Sequence, residues 1–261
     1  MKSRNKAGSI LITGATSGIG EALALEYAKR GVEKIFICGR DQGRLDSVMS
    51  RCRELGSDVY GSIVDVRDAD KMEKWIRECD AVSPLELIIA NAGVGSGGDE
   101  TEESIRNTFE INVNGVINTV LPAIEIFLKN DTSNCSRKRK QIVINSSLTG
   151  YHGLPTCPAY SASKACVKAW GAALRGKYRN KNIMINTICP GFVRSRLTDK
   201  NEFRMPFFME ADKAARIIIS RLERNIGLIT FPTPMRFVTW LVACLPDFIS
   251  ERIYRIINVE L

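Results

Sequence analysis

Residues 13–20 read Thr13-Gly14-Ala15-Thr16-Ser17-Gly18-Ile19-Gly20. They stand between an apolar run, Ser9-Ile10-Leu11-Ile12-Thr13, and a helical pattern opening with Glu21-Ala22-Leu23. A strand that breaks on glycines into a helix is a phosphate-binding turn. Glycine lets the backbone turn tightly and approach an anion, and the free N–H groups and dipole of the helix start favour a pyrophosphate. The spacing is G-x-x-x-G-x-G, not the common G-x-G-x-x-G, so the strand-turn-helix context carries the assignment.

Outward from this turn, apolar runs of strand length alternate with longer segments of helical period. Strands are expected at about 9–13, 33–38, 58–64, 85–90, 141–146 and 183–189, and helices at about 18–30, 41–55, 68–80, 101–129, 158–180 and 210–224. The strands are apolar almost throughout, as in a parallel sheet buried on both faces. Right-handed crossovers place helices on both faces, which predicts an α/β fold with a single Rossmann-type doubly wound parallel sheet. No linker or internal repeat divides the chain, so residues 1–261 are expected to form one domain.

Composition agrees with a globular protein: 44% of residues are hydrophobic and 25% charged, with 20 Gly and 9 Pro, which excludes disordered and collagen-like classes. The formal charge of +8 fits anionic ligands or surfaces, yet the local run Arg137 to Lys140 reads as a solvated loop, and no nucleic-acid partner is expected. None of the eight cysteines forms a C-x-x-C motif, so no metal site is expected. The start of the chain shows no signal peptide, which predicts a cytoplasmic protein with free thiols.

The tail, residues 231–261, contains two proline-marked breaks and two short apolar helical segments. Its longest apolar stretch, Phe237 to Leu245, is half of the ~20 residues needed to span a bilayer. Two readings stand: it covers the active site or a subunit interface, which is the commoner use, or it lies on a membrane interface through Phe237, Trp240, Phe248 and Tyr254 with Arg236, Arg252 and Arg255 alongside.

The chemistry-bearing residues lie at strand ends. The second strand ends in Gly39-Arg40, where such folds read the adenosine ribose. A glycine there offers no carboxylate for the 2′-hydroxyl of NAD, whereas Arg40 suits the 2′-phosphate of NADP; Arg44 either assists or is a helix-surface arginine. Asp65-Val66 and Asn91-Ala92-Gly93 close the third and fourth strands, with Asp65 able to accept from an adenine amino group. Tyr160-Ser161-Ala162-Ser163-Lys164 places a phenol and an ammonium on one helix face. Such a pair alone is ordinarily just a surface pair, but a fixed positive charge lowers a phenol's pKa and makes it a usable general acid/base. Ser147 lies thirteen positions earlier at a strand end, and Asn112 interrupts the 101–129 helix close to Gly115, a breach of propensity that marks function or a kink.

In this order and spacing, the motifs resemble the short-chain dehydrogenase/reductase family over about residues 8–225. The resemblance implies catalytic roles for Asn112, Ser147, Tyr160 and Lys164. It implies cofactor contacts from Gly14, Thr16, Ser17, Gly18, Ile19, Gly20, Arg40, Asp65, Val66, Asn91, Ala92, Gly93, Tyr160, Lys164, Pro190, Gly191, Val193 and Ser195. Ala90 stands where the family usually has a second asparagine, and Ser195 where it has threonine. The implied reaction passes hydride between NADP(H) and a small-molecule carbonyl or alcohol. Ser147 and Tyr160 would bond the oxygen, Lys164 would lower the Tyr160 pKa and hold the ribose, and Asn112 would hold a water linking Lys164 to solvent. A homodimer or homotetramer through the 101–129 and 158–180 helices is implied as well.

Residues 192–225 correspond to the family's substrate lid. Phe203, Met205, Pro206, Phe207, Phe208 and Met209 favour a lipid-like, sterol-like or retinoid-like substrate or else pack on the core. His152, the one histidine, either touches substrate or is solvated. An alternative of another class is a catalytically silent nucleotide-sensing or scaffold protein on the same fold, against which the intact Tyr160–Lys164 pair argues.

Overall fold

Alternate side chains of the inner strands enter opposite faces of one sheet, and both sets are largely apolar. In β1 (Ser9–Thr13), Ile10 and Ile12 face one layer while Leu11 faces the other; in β2 (Lys34–Gly39), Ile35 and Ile37 divide in the same way from Phe36 and Cys38. A computed structural model describes residues 8–95, 100–129, 140–196, 198–200, 205–246, 248–250 and 252. The remaining strands are β3 (Asp58–Ile63), β4 (Leu87–Ala90), β5 (Lys140–Asn145), β6 (Ile183–Pro190) and β7 (Leu228–Phe231). All pair in parallel in the order β3-β2-β1-β4-β5-β6-β7. The order reverses between β1 and β4, and beside that switch point such sheets open a ligand crevice at the strands' carboxyl ends.

On one face lie α1 (Gly18–Lys29), α2 (Gln42–Glu54) and α7 (Ala211–Glu223), burying Leu23, Val48 and Ile218 among others. On the other lie α3 (Ala69–Val82), α4 (Glu102–Phe109), α5 (Gly115–Lys129) and α6 (Pro158–Lys177); here Trp75, Val120 and Val167 are buried. Asp41, Asp68 and Thr101 cap α2, α3 and α4 by accepting from the N–H groups of Arg44, Lys71 and Ser104. Ser17 at the start of α1 makes no such side-chain bond.

Three elements differ from the sequence reading. The 101–129 helix is divided by a π-helical turn, Glu110–Asn114, which puts Asn112 inside the break. The helix beginning at 158 ends at Lys177, followed by a 3-10 turn at Arg179–Lys181. A seventh strand, β7, precedes the tail, and α8 (Thr233–Ala243) follows it. The run Glu102–Lys129 is long and apolar enough to cross a membrane, but 56% of its apolar window is buried within the fold, as in a core helix. The described cysteines, which omit Cys135, are free, and no group of three or more His, Cys, Asp or Glu among the described residues is placed to hold a metal ion.

Candidate active site

The expected site residues converge on the carboxyl edge of the sheet. In the turn after β1, Gly14 and Gly18 have φ of 64° and 58°, and a Cβ on Gly14 would lie 2.6 Å from the Cα of Ala92. That turn is stitched to the one after β4. Thr13 Oγ1 accepts the N–H groups of Asn91 and Ala92 at 3.0 and 3.1 Å, and Asn91 Nδ2 donates to the carbonyls of Thr13 and Gly14. Asn91 Oδ1 accepts from Asn145 Nδ2 at 2.9 Å, tying in β5. Asn91 therefore works chiefly as a bolt between three strand ends. Thr16 packs against Gly39, Gly20 sits against Gly14 and Asn91, and Ile19 packs on the core.

At the adenosine end, Arg40 is exposed and makes no hydrogen bond or ion pair with another described residue. Arg44 instead pairs with Asp41 at 2.6 Å, which fits its helix-surface reading. Asp65 is not idle: Arg67 bonds both its oxygens, with Nη2 to Oδ2 at 2.6 Å and the Arg67 main-chain N–H to Oδ1 at 3.0 Å. The Arg67 side chain, foremost, holds the Asp65 carboxyl below its ordinary pKa, and Arg40 adds a weaker pull. An adenine amino group would thus share Asp65 with Arg67. Val66 is buried against Gly115, and its carbonyl accepts from Asn118 Nδ2 at 2.9 Å.

The catalytic candidates meet beneath the turn at Gly93. Ser147 closes the segment after β5 and caps the 3-10 turn Leu148–Tyr151, accepting from the Thr149 N–H at 3.2 Å; its hydroxyl favours the Tyr160 phenolate. Tyr160 and Lys164 are one turn apart on α6, and Lys164 Nζ lies 5.7 Å from the Tyr160 ring centre. Lys164 is buried and donates to the main-chain carbonyl of Asn145 at 3.1 Å. A Cβ built on Gly93 would sit 3.1 Å from both Lys164 Nζ and Asn112 Oδ1, so three elements touch there.

Asn112 is fully buried. Its Oδ1 accepts from the Val94 N–H at 2.9 Å, while its Nδ2 donates to the Val94 carbonyl at 2.9 Å and to Ser163 Oγ at 3.1 Å. Ser163 Oγ in turn donates to the Tyr160 carbonyl at 2.7 Å. The Asn112 amide is thus committed to positioning the 91–94 turn against α6.

The electrostatics correct one expectation. Burial pushes the Tyr160 phenol up to about 12; the Ser147 hydroxyl opposes this, and Lys164 is not among the groups that lower it. Burial likewise pulls the Lys164 ammonium down to about 8. The ammonium donates to the Asn145 main-chain carbonyl.

Pro190 ends β6 beside Phe231 of β7, and the Gly191 N–H donates to the Phe231 carbonyl at 2.8 Å. The loop that follows β6 is stapled at its base. Val193 bridges Met209, the Arg194 N–H donates to the Met209 carbonyl at 2.8 Å, and Arg194 pairs with Glu210. Ser195 lies against Gly18, and its N–H donates to Thr198 Oγ1 at 2.9 Å. Phe207 is exposed at a φ of 55°, Phe208 lies against the Arg194 guanidinium, and Met209 is buried; Phe203 lies outside the described residues. His152 is half-buried just after the 3-10 turn. The sequence reading missed Arg67, Asn145 and Ser163, as well as Lys168, whose ammonium stands 3.8 Å over the Tyr151 ring. Asn145 alone carried a usable signal, its place at a strand's carboxyl end.

These residues fit a nicotinamide dinucleotide. The uncapped start of α1 follows a left-handed glycine turn, an unpaired Arg40 stands at the end of β2, and the buried oxygens Asn145 Oδ1 and Thr149 Oγ1 have no hydrogen-bond partner.

Comparison with known proteins agrees. Residues 8–205 match the short chain dehydrogenase family model. An uncharacterized oxidoreductase of Myxococcus xanthus is 35% identical over 241 residues, spanning 91% of this chain and 92% of its own. Among solved structures, a short chain dehydrogenase/reductase from Burkholderia phymatum in complex with NAD superposes with a TM-score of 0.80 at 22% identity, covering 92% of this chain and 94% of that one. A short-chain dehydrogenase from Sphingobium yanoikuyae in complex with NADPH gives 0.77 at 24% identity, covering 97% and 96%. The chain belongs to the short-chain dehydrogenase/reductase family of oxidoreductases.

Proposed function

We propose that the chain is an NADP(H)-dependent reductase of an apolar carbonyl, equivalently a dehydrogenase of the matching alcohol. The observation that carries the reading is the convergence of Ser147, Tyr160 and the buried Lys164, whose ammonium lies 5.7 Å from the Tyr160 ring centre. A bound nicotinamide supplies the hydride. The Ser147 hydroxyl donates to the substrate oxygen and orients it, while the Tyr160 hydroxyl gives that oxygen its proton in reduction and takes it back in oxidation. Lys164 stands one helical turn away to bond the cofactor ribose, and Asn112 keeps the 91–94 turn fixed against α6.

The cofactor preference rests on Arg40, whose free guanidinium matches a 2′-phosphate. The substrate preference rests on the exposed Phe207 above a stapled lid. The test is a titration of the purified protein with NADPH and NADH, then turnover on ketones and aldehydes of rising chain length. The reading requires NADPH-selective binding and rates that climb with chain length; binding without turnover in either direction, on carbonyls or alcohols, overturns it.

A further inference from the structure

Helix α8 is apolar on both of its sides, and among the described residues only one side has something to pack on. Met235, Thr239 and Val242 turn inward and are half-buried. Phe237, Val238, Trp240 and Leu241 turn outward and are 60%, 57%, 51% and 46% exposed, and Phe248 beyond the helix is 68% exposed. The Phe237 and Trp240 rings lie 6.1 Å apart, so this is a contiguous patch and not scattered surface residues.

Charge identifies the occupant. Residues 224–246 contain no Asp or Glu. Arg221 and Arg224 stand one turn apart at the end of α7, Arg221 Nη1 donates to the Thr230 carbonyl of β7, which leads into α8, and Arg236 lies in the first turn of α8, so three arginines gather toward the base of that helix. Neither Arg224 nor Arg236 forms an ion pair with a described residue. A second copy of the chain would bring this cationic cluster toward its own image, whereas an anionic surface would neutralise it.

We propose that α8 and Phe248 dock in the plane of an anionic phospholipid surface. Eleven residues make a helix roughly 16 Å long, about half of a ~30 Å hydrocarbon core, so the segment lies in the interface without crossing it. The inward side of α8 touches the site: a Cβ on Gly191 would lie 3.0 Å from Met235 Sδ and Pro232 Cδ. Docked lipid would then be roughly one helix diameter, ~10 Å, from Gly191, a short path for an apolar substrate. Only that last consequence rests on the proposed redox function; the docking does not.

The experiment is flotation of the full chain with vesicles of phosphatidylcholine alone and of phosphatidylcholine mixed with phosphatidylserine. The wild type should float with the mixed vesicles, weakly with phosphatidylcholine alone, and less as salt rises. The double variant Phe237→Ser/Trp240→Ser should lose at least ten-fold in binding at an unchanged Tm. Arg224→Gln/Arg236→Gln should lose roughly twenty-fold on the mixed vesicles, about five-fold per charge. A wild type that stays with the soluble fraction overturns the proposal, as does undiminished flotation of the serine variant. So does a wild-type oligomer that the serine variant dissociates, which would assign the patch to a second copy.

Discussion

The Lys164 ammonium is held 3.1 Å from the main-chain carbonyl of Asn145, at the carboxyl end of β5, in a pocket that desolvates it. Its pKa falls from 10.5 to about 8, so between those values the unfolded chain binds the proton that the folded chain has released. By linkage, the Lys164 contribution makes the folded state more stable as pH rises through that window, and below it the buried charge is a standing cost. Lys164→Met should therefore raise stability at neutral pH, by up to about 3 kcal/mol less the lost hydrogen bond, while abolishing turnover. The gain should fade as pH approaches 10.5, the ordinary lysine value. Paired thermal melts of wild type and variant across pH measure it; a variant less stable at neutral pH removes the buried-charge account.

Tyr160 carries the proton in the proposed reaction, and burial holds its phenol at about 12. Oxidation needs the phenolate, whose population grows about ten-fold per pH unit below the pKa. Alcohol oxidation should accordingly rise with pH from neutrality upward, while carbonyl reduction should not. Tyr160→Phe should abolish both directions and leave the cofactor Kd within a few-fold. Steady-state rates with fluorescence titration of the cofactor decide it, and retained turnover would exclude Tyr160 as the proton carrier.

Arg40 and Asp65 address different parts of a dinucleotide, so their variants should separate. Arg40→Ala should raise the Kd for NADPH by ten-fold or more, the loss of a charge-assisted phosphate bond of about 1.5–3 kcal/mol, and leave NADH nearly unchanged. Asp65→Ala should weaken both alike, since adenine is common to the two, and should release Arg67 from its bidentate partner. Equal weakening of both cofactors by Arg40→Ala would mark that side chain as structural.

Much of this was legible in the sequence, for identifiable reasons. Strands β1, β2, β4, β5 and β6 are apolar through their centres and buried on both faces, whereas the edge strand β3 is half exposed; the glycine turn, Ser147 and the Tyr160–Lys164 spacing are local patterns. The short β7 was not legible: Leu228–Phe231 is four residues long and runs directly into Pro232, so it blended with the tail. The oddity of an asparagine and a glycine inside one helix was visible, but its form, a π-helical turn at Glu110–Asn114, depends on Asn112 reaching Val94 and Ser163. The Arg67 hold on Asp65, the Asn91–Asn145 bond and the Lys168–Tyr151 contact depend on side-chain geometry that spacing does not encode.

Asn112 offers the sharpest test of that geometry, because its amide is spent entirely inside the protein. Replacing it with alanine leaves the part-buried Val94 N–H and carbonyl without this partner, at a cost of up to about 1–3 kcal/mol for a group that water does not reach. It also frees Ser163 Oγ from the 91–94 turn, although that hydroxyl keeps its bond to the Tyr160 carbonyl. Asn112→Ala should thus lower Tm and depress kcat well beyond any change in cofactor Kd, because the turn over Lys164 loses its registration against α6. Asn112→Asp separates the two effects: it keeps the acceptor for the Val94 N–H but has no donor for Ser163 when ionised. A carboxylate buried there should be more active at acid pH, where protonation restores one donor, and an Asn112→Asp profile with no such acid limb would show that the donor bonds do not govern the rate.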